Sequence, residues 1–317
     1  MSSSPAITVS ALNKHFGEVC AVDGLSFEVN AGEIFGLVGP DGAGKTTTMR
    51  ILAGVMDADS GAATIAGCDV VRDPEGAKSF LSYMSQRFGL YEDLTVDENL
   101  RFYAELFGVR RKQRQKRSEE LMAAAGLNDF RDRLAGNLSG GMKQKLGLVC
   151  ALIHTPKVLL LDEPTNGVDP VSRRDFWRIL YSLLSEGVAI LASTSYLDEA
   201  ERCHRVGLLH HGQMLFCDRP VELKKQFPGE ILAVHAAQPM KVRTALAAAP
   251  GVRSALLVGD HVHVFVDDAA QRLPELRARL DAASVAYDSI LTVAATIEDL
   301  FVSAVESDPN SARRTKR

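Results

Sequence analysis

Short apolar runs alternate with amphipathic stretches over residues 1–227, the pattern of strands feeding helices in a layered α/β structure. Two runs anchor this reading. Residues 33–39 (EIFGLVG) and 157–162 (KVLLLD) are almost continuously apolar over strand length, as expected of parallel strands covered on both faces at the centre of a sheet. Between about residues 87 and 150 strand formers thin out, and Leu100, Tyr103, Leu106 and Phe107 recur at helical spacing. That predicts a helical subdomain inserted between the two central strands.

The order of elements changes at Phe227-Pro228-Gly229, which marks a domain boundary. Residues 228–306 then read as a strand (ILAVHA), a helix over 241–249, a hairpin (ALLVGD and HVHVFVD, turning at Gly259-Asp260), a helix over 273–283, a strand (DSILTVA) and a closing helix over 297–305. This βαββαβ order predicts a small α+β, ferredoxin-like domain. The polar, basic end, residues 307–317, is expected to be a disordered tail.

Composition supports two self-sufficient domains: 46% of the 317 residues are apolar, enough for sizeable cores without disulfides or a structural metal. The 36 basic and 40 acidic side chains leave a net charge of −4, which argues against a nucleic-acid partner. Five cysteines without CxxC spacing, several of them inside apolar runs, are expected to be reduced core residues of a cytoplasmic protein. No window approaches the ~18 apolar residues of a membrane span, and the first residues lack a basic-then-apolar leader.

The candidate chemistry begins with Gly39, Pro40, Asp41, Gly42, Ala43, Gly44, Lys45 and Thr46, which fit GxxxxGK[ST] between an expected strand and an expected helix. In that context successive backbone N–H groups and the helix N-terminus face phosphate oxygens. Lys45 is expected to neutralise the β- and γ-phosphates of ATP and the Thr46 hydroxyl to hold Mg²⁺, while Thr47 reaches the α-phosphate side. Asp162 and Glu163 close the second apolar run. The pair is either a helix cap or the acidic half of a phosphoryl-transfer site, with Asp162 on the metal's water shell and Glu163 polarising the attacking water. The phosphate loop upstream favours the second reading.

Ser139, Gly140 and Gly141, in LSGGMKQ, read alone either as a capped helix start or as a second anion-binding helix tip. In order with the two motifs above, they make the chain resemble the ABC-type ATPases over about residues 6–225. The resemblance implies a P-loop NTPase core and a composite site, in which the LSGG tip of one subunit closes on ATP held by another. It also implies that Phe16 stacks on adenine, that Gln86 contacts Mg²⁺ and the attacking water, and that Asp169 crosses the dimer interface. Read without it, Phe16 is a core aromatic and Asp169 a turn cap ahead of Pro170.

One position departs from the family pattern: after GVAILAS, Ser195 stands where the family carries a histidine that bridges the γ-phosphate and the catalytic water. A hydroxyl is shorter and does not titrate near neutrality, so slower turnover at this chain's own site is expected. The combination of an intact LSGG with that replacement resembles the first cassette of tandem ABC-2-type, multidrug-export-like ATPases. It implies an ATP-binding subunit on the cytoplasmic face of the cell membrane, with separate permease subunits as partners. A second, non-identical ATP-binding subunit is favoured over a homodimer, and residues 86–94 would dock on the permease. The alternatives are an ABC ATPase acting on nucleic acid or ribosomes, for which the chain lacks coiled-coil inserts and a second cassette, and a P-loop small-molecule kinase, which has no use for LSGG. The basic run 110–117 is expected to be a solvated helix face, and His210-His211 a hairpin turn.

Overall fold

The computed structural model describes residues 4–86 and 89–307, and the chain divides into two compact units at Arg219 and Pro220. The first unit opens with β1 (Ile7–Phe16), β2 (Val19–Val29) and β3 (Ile34–Val38), followed by α1 (Lys45–Leu52), β4 (Ser60–Ile65), β5 (Cys68–Asp69), α2 (Pro74–Phe80) and β6 (Leu81–Met84). The inserted helices are α3 (Val96–Leu106), α4 (Arg111–Ala125) and α5 (Gly140–Leu152). The unit closes with β7 (Val158–Asp162), α6 (Pro170–Leu184), β8 (Ala189–Thr194), α7 (Leu197–Ala200), β9 (Arg205–His210) and β10 (Gln213–Asp218).

Six strands form the main sheet in the order β10-β9-β3-β8-β7-β6. All neighbours are parallel except the β9–β10 hairpin at the edge. The two continuously apolar runs are β3 and β7, buried at every position. They are not adjacent, because β8 lies between them and pairs with both. A second, antiparallel sheet, β2-β1-β4-β5, carries the alternating apolar positions Val22, Leu25, Phe27 and Val29, which pack into one core with Phe35, Leu37, Met49 and Leu160. The turn between β9 and β10 falls at His211 and Gly212, both at positive φ, as a two-residue hairpin requires.

The insert follows from local chemistry as well as periodicity. Thr95 and Glu98 form a reciprocal capping box at the start of α3, and Leu100 is buried. Leu106 and Phe107, by contrast, are 65% and 42% exposed, so half of the helical stripe faces outward rather than into a core. The basic run is also only partly solvated: Arg117 forms a two-pronged ion pair with Glu186, and Arg114 pairs with Glu105. The cysteines are free, as expected, but Cys217 is exposed and only Cys150 and Cys203 are buried.

The second unit comprises α8 (Pro220–Lys225), β11 (Glu230–His235), α9 (Pro239–Leu246), β12 (Val252–Val258), β13 (His261–Val266), α10 (Ala269–Ala282), β14 (Ser289–Val293) and α11 (Ile297–Ser307). Its antiparallel sheet runs β12-β13-β11-β14, the strand order of a split βαββαβ unit. The unit begins before the Phe227-Pro228-Gly229 break because α8 packs on α11. Helix α10 starts at Ala269, ahead of the expected 273, because the Asp268 side chain accepts from the Gln271 amide and caps it. Val262, Val264 and Val266 face the core with Leu232, Val242 and Leu276, and residues 308–317 lie outside the described region.

Candidate nucleotide-binding site

The C-terminal ends of β3, β7 and β8 converge on a cavity of about 710 Å³. Ligand sites at the carboxyl ends of parallel strands are the rule for open α/β sheets. Among its lining residues are Phe16, Asp41, Gly42, Ala43, Gly44, Lys45, Thr46, Thr47, Gln86, Glu163 and Ser195.

The loop between β3 and α1 is shaped by its glycines. Gly44 sits at φ +102°, and a Cβ there would strike the Ala21 carbonyl oxygen, so no other residue fits the turn into α1. Lys45, 4% exposed, begins that helix. Its Nζ donates to the carbonyls of Gly39 (2.7 Å) and Pro40 (3.0 Å) and lies 3.3 Å from Glu163 Oε1. Gly39 and Pro40 therefore contribute through their backbones.

Asp162 ends β7 in register with Ser193 of β8, so the two side chains share one face. Ser193 Oγ donates to Asp162 Oδ1 at 2.7 Å, and Thr46 Oγ1 donates to the same oxygen at 3.0 Å. The Tyr83 hydroxyl donates to Oδ2 at 3.3 Å. Burial, with the Asp162 carboxylate beside it, pushes the Tyr83 phenol up to about 12, so it remains a donor. Hydroxyl and carboxylate oxygens converging at Thr46 and Asp162 are a hard donor set, the chemistry that suits Mg²⁺.

Glu163 adopts φ +49°, a left-handed conformation unusual for a long side chain. Its amide is held by both the Oγ (3.0 Å) and the carbonyl (3.1 Å) of Ser193. Its carboxylate accepts from Gln86 Nε2 (3.0 Å) and Asn166 Nδ2 (3.2 Å). A strained backbone clamped from several sides is a frequent mark of a functional position.

Phe16 stands at the end of β1, 48% exposed, with Lys14 Nζ 5.7 Å from the ring centroid. An exposed aromatic on the cavity wall can stack on a flat ring. Ser195 lines the same cavity immediately after β8, beside Tyr196, whose hydroxyl donates to Asn166 Oδ1.

Ser139, Gly140 and Gly141 are not among the residues that line this cavity. Ser139 caps α5, its Oγ accepting from the Met142 amide. Asp169 caps α6, accepting from the Val171 and Ser172 amides. The two helix tips lie together: a Cβ on Gly141 would run into Ser172 and approach Asp169 Oδ2. Asp169 is thus a turn cap, and it also stands beside the LSGG tip.

Sequence reasoning missed Ser193, Tyr83 and Asn166. It also missed Glu199, which is fully buried and accepts from Thr165 (2.6 Å), Thr194 (2.9 Å) and Trp177 (3.4 Å). That carboxylate ties the segment after Glu163 to α6 and the end of β8. The available signal was a polar residue closing an apolar run in AILAST, the same feature that singled out Asp162 in KVLLLD.

Comparison with known proteins identifies the family. The ABC transporter family matches residues 22–166. A probable multidrug ABC transporter ATP-binding protein of Escherichia coli is 51% identical over 70% of this chain, which spans 39% of that relative's length. A daunorubicin resistance ATP-binding protein of Streptomyces coeruleorubidus is 34% identical over 94% of both chains. A Nod factor export ATP-binding protein of Paraburkholderia xenovorans is 36% identical over 94% of this chain and 96% of its own. Among solved structures, an ATP-binding subunit of an ABC transporter superposes with TM-score 0.65 at 30% identity, covering 70% of this chain and 93% of the other. On these similarities of sequence and fold, the chain belongs to the ATP-binding proteins of the ABC transporter family.

Proposed function

We propose that this chain is the ATP-hydrolysing subunit of an ABC-2-type exporter. The observation that carries the proposal is the meeting of Lys45, Thr46, Gln86, Asp162 and Glu163 through direct contacts at one cavity, while the Ser139 helix tip stands apart from it. ATP would bind with its adenine against Phe16 and its phosphates along residues 39–47. Lys45 exchanges the Gly39 and Pro40 carbonyls for phosphate oxygens. Thr46, Asp162 and Gln86 would hold Mg²⁺, which supplies neutralising charge to the phosphates. Glu163, oriented by Gln86 and Asn166, accepts a proton from the water that attacks the γ-phosphate.

The separated LSGG tip supports a composite site, in which Ser139, Gly140, Gly141 and Asp169 of one subunit act on ATP held by a second. ATP-driven closure of that pair then shifts a membrane permease between conformations. An apolar groove of about 280 Å³, lined by Val55, Leu81, Tyr83, Tyr103 and Phe107, supports permease contact at the insert. Tyr103 joins the insert to this region, its hydroxyl donating to the Gly89 carbonyl at 2.6 Å. No helix among the described residues is long and apolar enough to cross a membrane, so in this proposal the chain works at the cytoplasmic face through partners. The export and drug-resistance relatives favour outward transport.

Ser195 in place of histidine supports an asymmetric pair, with slow hydrolysis at this chain's Lys45 and faster hydrolysis where its LSGG completes the partner's site. The test is a reconstituted transporter carrying Glu163→Gln here or the matching change in the second ATPase. Turnover should fall far more in the latter, and equal losses would instead indicate two equivalent sites.

A further inference from the structure

A cluster of histidines in the C-terminal unit is unrelated to nucleotide chemistry. His235 ends β11 and His261 begins β13, and the two are direct partners across the antiparallel pair. Their rings stack with centroids 4.6 Å apart. His263, two residues along β13, points to the same face and is buried with Asp299 of α11 beneath it. Asp260, in the exposed turn before β13, completes the group.

The hydrogen-bond partners constrain the proton positions along this row. Asp299 accepts from the Thr296 amide and hydroxyl and faces His263 Nδ1 at 2.9 Å, so His263 carries its proton on Nδ1. When that ring is neutral its Nε2 is bare, and it lies 3.2 Å from His261 Nε2. In that state His261 donates from Nε2. Its other nitrogen, Nδ1, is left with a lone pair facing the Asp260 carboxylate oxygen at 3.0 Å. In that state two lone pairs face each other, and a proton or a metal ion would join them. A proton needs only two acceptors, yet a third is present: His235, Asp260 and His261 each offer a ligand atom, all within 4.8 Å of one another.

We propose that, with the His235 ring turned out of its stack on His261, these two imidazoles and Asp260 bind a divalent transition-metal ion of the Zn²⁺ class. Two imidazoles and one carboxylate are an established donor set for zinc, and imidazole disfavours Mg²⁺ and Ca²⁺. His263 and Asp299 are the supporting groups: the ligating His261 donates its remaining N–H to His263, which donates in turn to the buried carboxylate. Such a chain fixes the tautomer and orientation of a metal-bound histidine. Asp260 is exposed, which gives the ion a route in from solvent. Bound there, the ion would pin the end of β11 to the start of β13.

The test uses the full-length chain, stripped of metal by chelation and titrated with Zn²⁺ against a competing indicator in excess Mg²⁺. One Zn²⁺ per chain should bind, and His235→Ala and His261→Ala should each weaken it by at least ~100-fold. Asp299→Asn, acting through His263, should weaken it by ~10- to 100-fold, while His15→Ala in the first unit should leave it unchanged. Zn²⁺ should also raise the unfolding temperature of the C-terminal unit in the unaltered chain but not in His261→Ala, a readout that exposes any failure to fold. Zn²⁺ affinity that is absent in the unaltered chain, or unchanged in the His235→Ala and His261→Ala chains, overturns the proposal.

Discussion

Ser193→Ala is the most informative single change in the nucleotide site, because the serine touches both acidic residues and lies outside every motif. Its Oγ donates to Asp162 Oδ1 at 2.7 Å and accepts from the Glu163 amide at 3.0 Å, with all three residues buried. The two losses are unequal. The Glu163 amide keeps the Ser193 carbonyl at 3.1 Å and is not orphaned, so that half contributes little. Asp162 keeps Thr46 and Tyr83 but loses its shortest partner. One buried hydrogen bond to a charged group contributes about 1.5–3 kcal/mol. For a unit of this size that lowers the unfolding temperature by roughly 3–12 °C. Because Glu163 is also released from one side of its clamp, kcat for ATP should fall by about tenfold, equivalent to ~1.4 kcal/mol of barrier, while KM moves little. Calorimetry and steady-state phosphate release measure the two effects. A variant with unaltered unfolding temperature and kcat would refute the idea that Ser193 positions the carboxylates.

Three further outcomes are expected. Ser195→His should raise hydrolysis at this chain's own site by about 30- to 1,000-fold, the equivalent of ~2–4 kcal/mol, measured with the partner's catalytic glutamate changed to glutamine; no gain would detach Ser195 from the slow site. Glu199→Ala leaves three donors and the neighbouring Arg173 without their buried acceptor and should destabilise the first unit by about 3–5 kcal/mol, read from the denaturant midpoint. In the second unit, burial pushes the Asp299 carboxyl up, but hydrogen bonds from His263 and Thr296 outweigh it and hold the group below its ordinary value of 3.8. Its contribution is therefore full above that value and is lost as pH falls through the lower folded value, so acid unfolding should begin below about pH 4. Asp299→Asn should flatten that limb in a pH series followed by circular dichroism.

What could be read from the sequence was what the chain encodes locally. GPDGAGKT announces its loop because glycines and a lysine must be contiguous to wrap a phosphate, and KVLLLD announces a strand covered on both faces. The ferredoxin-like order was legible because each of its elements is short, periodic and punctuated. Contacts set by pairing register were not legible. Ser193 meets Asp162 only because β8 lies in parallel register between β3 and β7, and no local pattern encodes that slot. Glu199, in YLDEA, carries no local mark of burial, and the α/β layer conceals it. Tyr103 and Phe107 kept helical spacing, yet they line a groove rather than a core.

The end of β8 supplies two things at once: Ser193, the clasp on the strained acid, and, two residues later, Ser195 on the cavity wall. Tolerance to substitution at these positions is therefore expected to be unequal. On the proposed reading, exchange of the side chain at 195 slows this chain's own chemistry without disturbing the architecture. A change at 193, or a slip of the strand by one residue, detunes both carboxylates together. In the proposed asymmetric pair, such a cassette would retire as an engine while remaining intact as a nucleotide-dependent brace for its neighbour.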